Sequence, residues 1–148
     1  MNDLNDLYQQ VIIDHGRKPR NFGKLVDATH IKEGYNPLCG DKLTVYLREE
    51  NNKILQAQFE GEGCAISMAA ASLMTEALKN KTLEEAEILF TAFHELLTND
   101  GSEDEKLGKL LVLAGVKEYP MRVKCATLCW HTARAAWKNE NTKVSTEE

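Results

Sequence analysis

Leu4, Leu7, Tyr8, Val11 and Ile12 recur at i, i+3, i+4, i+7 and i+8, the spacing of one buried helix face. Asn2 or Asp3 is placed to cap this helix and Gly16 to end it. A basic loop follows, Arg17-Lys18-Pro19-Arg20-Asn21-Phe22-Gly23, which reads either as a solvated surface or as a docking patch for an acidic partner. Residues 25–34 carry a weak strand signal. Leu43, Val45 and Leu47 then alternate with Thr44 and Tyr46, and Leu55, Ala57 and Phe59 alternate again beyond the turn Glu49-Glu50-Asn51-Asn52. This predicts an antiparallel hairpin within a small sheet of three strands.

After Gly61-Glu62-Gly63-Cys64 the period changes from 2 to 3.6. Ile66, Ala69, Ala70, Leu73, Ala77 and Leu78 form a helical stripe, which puts Cys64 at a strand-to-helix turn. Thr82-Leu83-Glu84-Glu85 has the form of a capping box ahead of Ala86, Leu89, Phe90, Phe93, Leu96 and Leu97. Asn99-Asp100-Gly101 breaks that helix. Ser102-Glu103-Asp104-Glu105 predicts another start, with Leu107, Leu110, Leu111 and Ala114 on its buried face and Gly115 as its stop. Gly108 weakens this element. Pro120 is suited to opening a last helix, whose buried face is Val123, Ala126, Trp130, Ala133 and Trp137. Residues 139–148 are polar and predict a frayed tail.

The 148 residues suit one domain, and neither linker nor internal repeat divides them. Lys and Arg number 18 against 23 Asp and Glu, a net charge of −5 that argues against general affinity for nucleic acid or anionic membrane. The first twenty residues lack the apolar stretch of a signal peptide, and no run approaches membrane-spanning length, so a cytoplasmic protein is expected. Four cysteines in a reducing compartment point to metal binding or catalysis more than to disulfides.

The chemistry converges on Asn36-Pro37-Leu38-Cys39-Gly40-Asp41. Proline and glycine frame a turn that displays a thiol and a carboxylate two residues apart. An ordinary turn leading into a strand is the alternative. Cys64 and Cys125 also fall at the edges of elements, the latter early in the last helix. With Asp41, the three cysteines make a donor set sufficient for a four-coordinate soft metal site. There is no C-x-x-C pair, so the spacing alone is a weak zinc signature. Cys129, one turn beyond Cys125, is either a spare thiol or a small core residue. His94 and His131 fit solvated or core positions better than ligand roles. A cysteine-hydrolase triad has no pattern to say which histidine would serve.

The motifs N-P-x-C-G-D (36–41), G-x-G-C-A-I-S (61–67) and R-V-K-C-A-T-L (122–128) resemble, in order, the U-type iron–sulfur assembly proteins of the NifU/IscU/SufU group. The likeness runs from the first helix through the K-P-R-N-F-G loop to about residue 137. It implies an α+β fold of the SufE/NifU-like kind, a three-stranded antiparallel sheet packed against about five helices, with the three cysteines at one end. Three features resemble the SufU branch: Lys124 where scaffolds have histidine, Tyr119-Pro120-Met121-Arg122-Val123-Lys124 in place of L-P-P-V-K, and an extra helical stretch near 98–116. The resemblance implies zinc held by Cys39, Asp41, Cys64 and Cys125, with Cys39 also the acceptor of sulfur from a cysteine desulfurase of the SufS kind. Arg122, Lys124 and Cys129 are auxiliary candidates. Downstream partners would be iron–sulfur scaffold or acceptor proteins. The rival role implied by the same family is a scaffold on which a [2Fe–2S] cluster, or iron, is assembled and transferred.

Overall fold

The computed structural model describes residues 3–37, 39–98, 105–139 and 144–145. Its chain order is α1 (Asp3–Arg17), β1 (His30–Asn36), β2 (Asp41–Glu50), β3 (Lys53–Glu62), α2 (Ala65–Leu78), β4 (Lys81–Thr82), α3 (Leu83–Thr98), a 3-10 segment (Glu105–Glu118), α4 (Pro120–Trp137) and β5 (Val144–Ser145). The architecture is α+β. Three full-length antiparallel strands form the sheet, as expected, and two-residue strands extend it to the order β4-β3-β2-β1-β5. β5 pairs parallel with Gly34–Tyr35, so part of the segment read as a frayed tail is tied to the sheet edge. Among the described residues no helix is long and apolar enough to cross a membrane.

Asn51 and Asn52 connect β2 to β3 with φ of 53° and 64°. Such paired left-handed residues match the twist of a two-residue hairpin, and asparagine tolerates them better than most side chains. Leu43, Val45 and Leu47 are fully buried on the inner face of β2. On β3 the inner face is Ile54, Ala57 and Phe59, and Leu55, which simple alternation assigned to it, is only half-buried. The register shifts between Arg48 and Glu49, and such a bulge moves the alternation by one residue.

α2 is the centre of the molecule. Residues 67–75 are buried all the way round, not along one stripe, because α1, α4 and the sheet surround the helix. Its run Ala69-Ala70-Ala71-Ser72 is small enough for these neighbours to approach closely. Thr82 Oγ1 accepts the Glu85 N–H at 3.1 Å while Glu85 Oε1 accepts the Thr82 N–H at 2.9 Å, which closes the capping box at the start of α3.

Three expectations are corrected. β1 spans His30–Asn36 rather than 25–34; its inward residues near the end are Gly34 and Asn36, which give no apolar alternation to read. Residues 105–118 form a 3-10 segment rather than an α-helix, kinked at Gly108 (φ 54°, ψ −124°) and continuing through Gly115 to Glu118. α1 runs to Arg17, past Gly16. The breaker Asn99-Asp100-Gly101, most of the second capping box, and the Asn2 cap lie outside the described residues.

Candidate metal centre

Asn36 and Asp41 face each other across the β1–β2 hairpin, so Cys39 and Gly40 lie on the turn that joins the two strands. Gly40 takes φ 73° there, and Cys39 is half-buried on the turn. Asp41 begins β2 fully buried. Cys125 reaches the same point from the second turn of α4, also fully buried. The donor atoms of Cys39, Asp41 and Cys125 all lie within 4.8 Å of one another. The two sulfurs are 3.3 Å apart.

Cys64 joins this group differently. Its backbone N–H donates to Asp41 Oδ1 at 3.0 Å. Its sulfur serves as the N-cap of α2, accepting the Ser67 N–H at 3.4 Å. The side chain is therefore placed where the sequence predicts, at unpaired helical N–H groups, but its sulfur falls outside the three-residue cluster. Gly63 permits this arrangement: a Cβ there would overlap the Asp41 carboxylate. The glycine ahead of Cys64 is thus required by close approach.

Burial, followed by the neighbouring Cys39 and Asp41, pushes the Cys125 thiol far above the ordinary cysteine range. Without a cation or donors nearby, two sulfurs and a carboxylate in one buried place cannot all be anionic cheaply. Arg122 lies one turn before Cys125. A hydrogen bond to Cys125, with the charges of Cys64, Cys125 and Cys39, raises its guanidinium above the usual value. Lys124 is half-buried on α4. Cys129 does not join the cluster: it is fully buried in the apolar core, with its sulfur 3.6 Å from Ala126 O and its thiol pushed up by burial. His131 packs edge-on against Phe90 and His94, between α3 and α4.

Asn36 is a residue that the sequence reading used only as part of the turn. It is fully buried, and its Nδ2 donates to Asp41 Oδ2 at 3.4 Å and to Cys125 Sγ at 3.7 Å. The buried Ser67 Oγ has no hydrogen-bond partner among the described residues.

Two thiolates and a carboxylate fit a zinc ion. Zinc takes sulfur at ~2.3 Å and oxygen at ~2.0–2.2 Å in a tetrahedron, which places sulfurs ~3.8 Å apart. The observed separation of 3.3 Å is shorter by about 0.5 Å, a gap that a small rotation of either side chain would open. Cys64, whose N–H is bonded to Asp41, would complete the set if its sulfur swung toward the other three donors.

A compact sheet with helices packed on it and a cysteine-rich cluster at its rim define a small α+β metal-site protein. Residues 7–126 match the model of the NifU-like N terminal domain, and the chain belongs to that family. It is 42% identical over 129 residues to the zinc-dependent sulfurtransferase SufU of Bacillus subtilis, covering 86% of this chain and 87% of that protein. It is 39% identical over 132 residues to the iron–sulfur cluster assembly scaffold protein IscU of Thermotoga maritima, covering 89% and 93%. Among solved structures, it resembles one from Fervidobacterium islandicum, provisionally assigned as an iron–sulfur cluster assembly scaffold for the SUF system (TM-score 0.81, 36% identity, 89% of this chain and 97% of that one). The N-terminal part of a NifU-like protein from Brucella abortus shares the fold at TM-score 0.83 and 19% identity, covering 95% of this chain and all of that one.

Proposed function

We propose that this chain is a zinc-dependent sulfur acceptor in iron–sulfur cluster assembly, working in the cytoplasm with a cysteine desulfurase of the SufS kind. The observation that carries the reading is the convergence of Cys39, Asp41 and Cys125 within 4.8 Å, with Cys39 alone on a turn. The 42% identity to a zinc-dependent sulfurtransferase supports it. Asp41, Cys125 and Cys39 would hold the metal, with Cys64 as the fourth ligand. When bound, zinc supplies a positive charge that keeps these buried sulfurs as thiolates at neutral pH.

The chain's own part in transfer follows from its geometry. Cys125 is anchored within α4 and Cys64 by its cap on α2, whereas Cys39 lies on the β1–β2 turn, outside both helices. Released toward the desulfurase, the Cys39 thiolate attacks the outer sulfur of the enzyme's cysteine persulfide. A bond forms between Cys39 Sγ and that sulfur, the donor's S–S bond breaks, and its electron pair leaves on the donor cysteine as thiolate. Arg122 presents a guanidinium beside the sulfurs to balance the negative charge gathered there. The Cys39 persulfide then passes to a downstream scaffold or acceptor protein.

The 39% identity to a cluster scaffold favours a second reading, in which the same residues hold a [2Fe–2S] cluster. Metal analysis of the protein as isolated, followed by anaerobic incubation with desulfurase and cysteine, separates the two. The sulfur-acceptor reading expects a colourless protein with one zinc per chain and a sulfur adduct of Cys39 in the mass spectrum. A brown, iron-containing protein without that adduct would establish the scaffold instead.

A further inference from the structure

Asn36 ends β1, and the fold brings it against α4, 89 residues away at Cys125. This closeness depends on Gly34, two residues earlier on the same strand, where a Cβ would overlap the Thr132 side chain of α4. The Asn36 side chain then lies between two candidate ligands from separate elements. Asp41 Oδ2 is 3.4 Å and Cys125 Sγ 3.7 Å from its Nδ2. A carboxylate and a thiolate both accept hydrogen bonds, so chemistry requires the NH2 end of the amide, not the oxygen, to face them. The other carboxylate oxygen of Asp41 is held by the Cys64 N–H.

We infer that Asn36 is a positioning residue for the metal site, fixing Asp41 and Cys125 relative to each other and donating to the Cys125 sulfur. The inference rests on the proposed metal-binding function and deepens it. A neutral donor suits this place. Four anionic ligands leave a divalent ion with a formal excess of negative charge, and an N–H donor disperses charge on the sulfur without adding any. A hydrocarbon at position 36 would leave the carboxylate and sulfur with fewer donors in a place water does not reach. Outer-shell partners of this kind typically govern metal affinity by ~10–100-fold. They also tune the ligand itself, because a hydrogen bond to a metal thiolate lowers its electron donation.

The test uses Co2+ as probe in the full chain, comparing wild type, Asn36→Ala and Asn36→Leu. Competition with a chromophoric chelator measures affinity, and the sulfur-to-cobalt charge-transfer band reports the charge on sulfur. Circular dichroism and thermal unfolding of the metal-free proteins report the fold. The expected result is a folded variant with Co2+ bound ~10–100-fold more weakly and the band moved to lower energy. A folded variant with unchanged affinity and band overturns the inference. Weaker binding with an unmoved band also overturns it, since that is the mark of loosened packing alone. If neither variant folds, Asn36 is a residue of the fold and the inference falls. A wild type that binds neither Co2+ nor Zn2+ would instead defeat the proposed function.

Discussion

The backbone N–H of Cys64 donates to Asp41 Oδ1 at 3.0 Å, joining the start of α2 to the start of β2 through one carboxylate. Asp41 is fully buried and also takes a hydrogen bond from Asn36. It is thus a structural residue as much as a candidate ligand. Asp41→Ala would strand the Cys64 N–H and take one acceptor from the Asn36 amide, and a donor left unsatisfied away from water costs about 1–3 kcal/mol. Urea denaturation of the metal-free variant should show a loss of at least that order. A midpoint equal to wild type would mean that the hydrogen bonds to Asp41 contribute nothing in solution.

The turn position of Cys39 separates its chemistry from that of Cys129. Cys39→Ser is expected to abolish sulfur acceptance and stimulation of a cysteine desulfurase. Cys129 is sealed in the core, so Cys129→Ser should leave both nearly intact while lowering the melting temperature, because a hydroxyl replaces a buried thiol. Mass spectrometry that places the incoming sulfur on Cys129 or Cys125 would contradict this assignment.

His15 gives the fold a dependence on pH. Its Nδ1 lies 2.7 Å from Ser72 Oγ, which already accepts the Arg20 N–H at 2.8 Å, so the hydroxyl proton is free to point at the imidazole. Glu76 Oε1 is 3.8 Å from Nε2, and Asp14, Arg20 and Lys109 also bear on the ring. Burial, with help from Arg20, lowers the His15 pKa below its usual 6.5. The unfolded chain therefore binds the proton more readily. The contribution of neutral His15 is complete above about pH 6.5 and is lost as the pH falls toward the lower folded value. Stability measured across this range should decline on acidification, and His15→Leu should flatten that part of the curve. A slope identical to wild type would show that His15 does not report this burial.

The capping box offers a control remote from the cysteines. Thr82→Ala removes the acceptor for the Glu85 N–H and should cost about 1 kcal/mol without altering metal binding. Chemical denaturation together with Co2+ titration measures both at once; a change in metal affinity would reveal coupling between α3 and the cysteine cluster.

Legibility followed the residues whose roles are local. The α3 capping box, the Asn51-Asn52 turn and the cap position of Cys64 depend on neighbours within a few residues, and each is visible in the chain. The convergence of Cys39, Asp41 and Cys125 was legible through the motifs and through their resemblance to a family. What escaped depends on distant partners. Asn36 reads as a turn residue until α4 arrives beside it. β1 presents glycine and asparagine inward where a strand usually presents aliphatic side chains, so its boundaries could not be read. Ile54 displaces Leu55 because a bulge across the hairpin shifts the alternation. The segment after Glu105 has a helical pattern of leucines, but Gly108 adopts a backbone conformation that breaks an α-helix.

The sulfur of Cys64 holds one further consequence. As long as it accepts the Ser67 N–H, it belongs to α2; if reaching a metal carried the sulfur out of range of that N–H, the N–H would lose its partner. Helix fraying and ligand exchange then become one linked equilibrium, and each must answer to the other. Amide hydrogen exchange at Ser67 would register events at the protein's rim. Since α2 runs through the middle of the molecule, the chain would carry news of its cargo into its own interior.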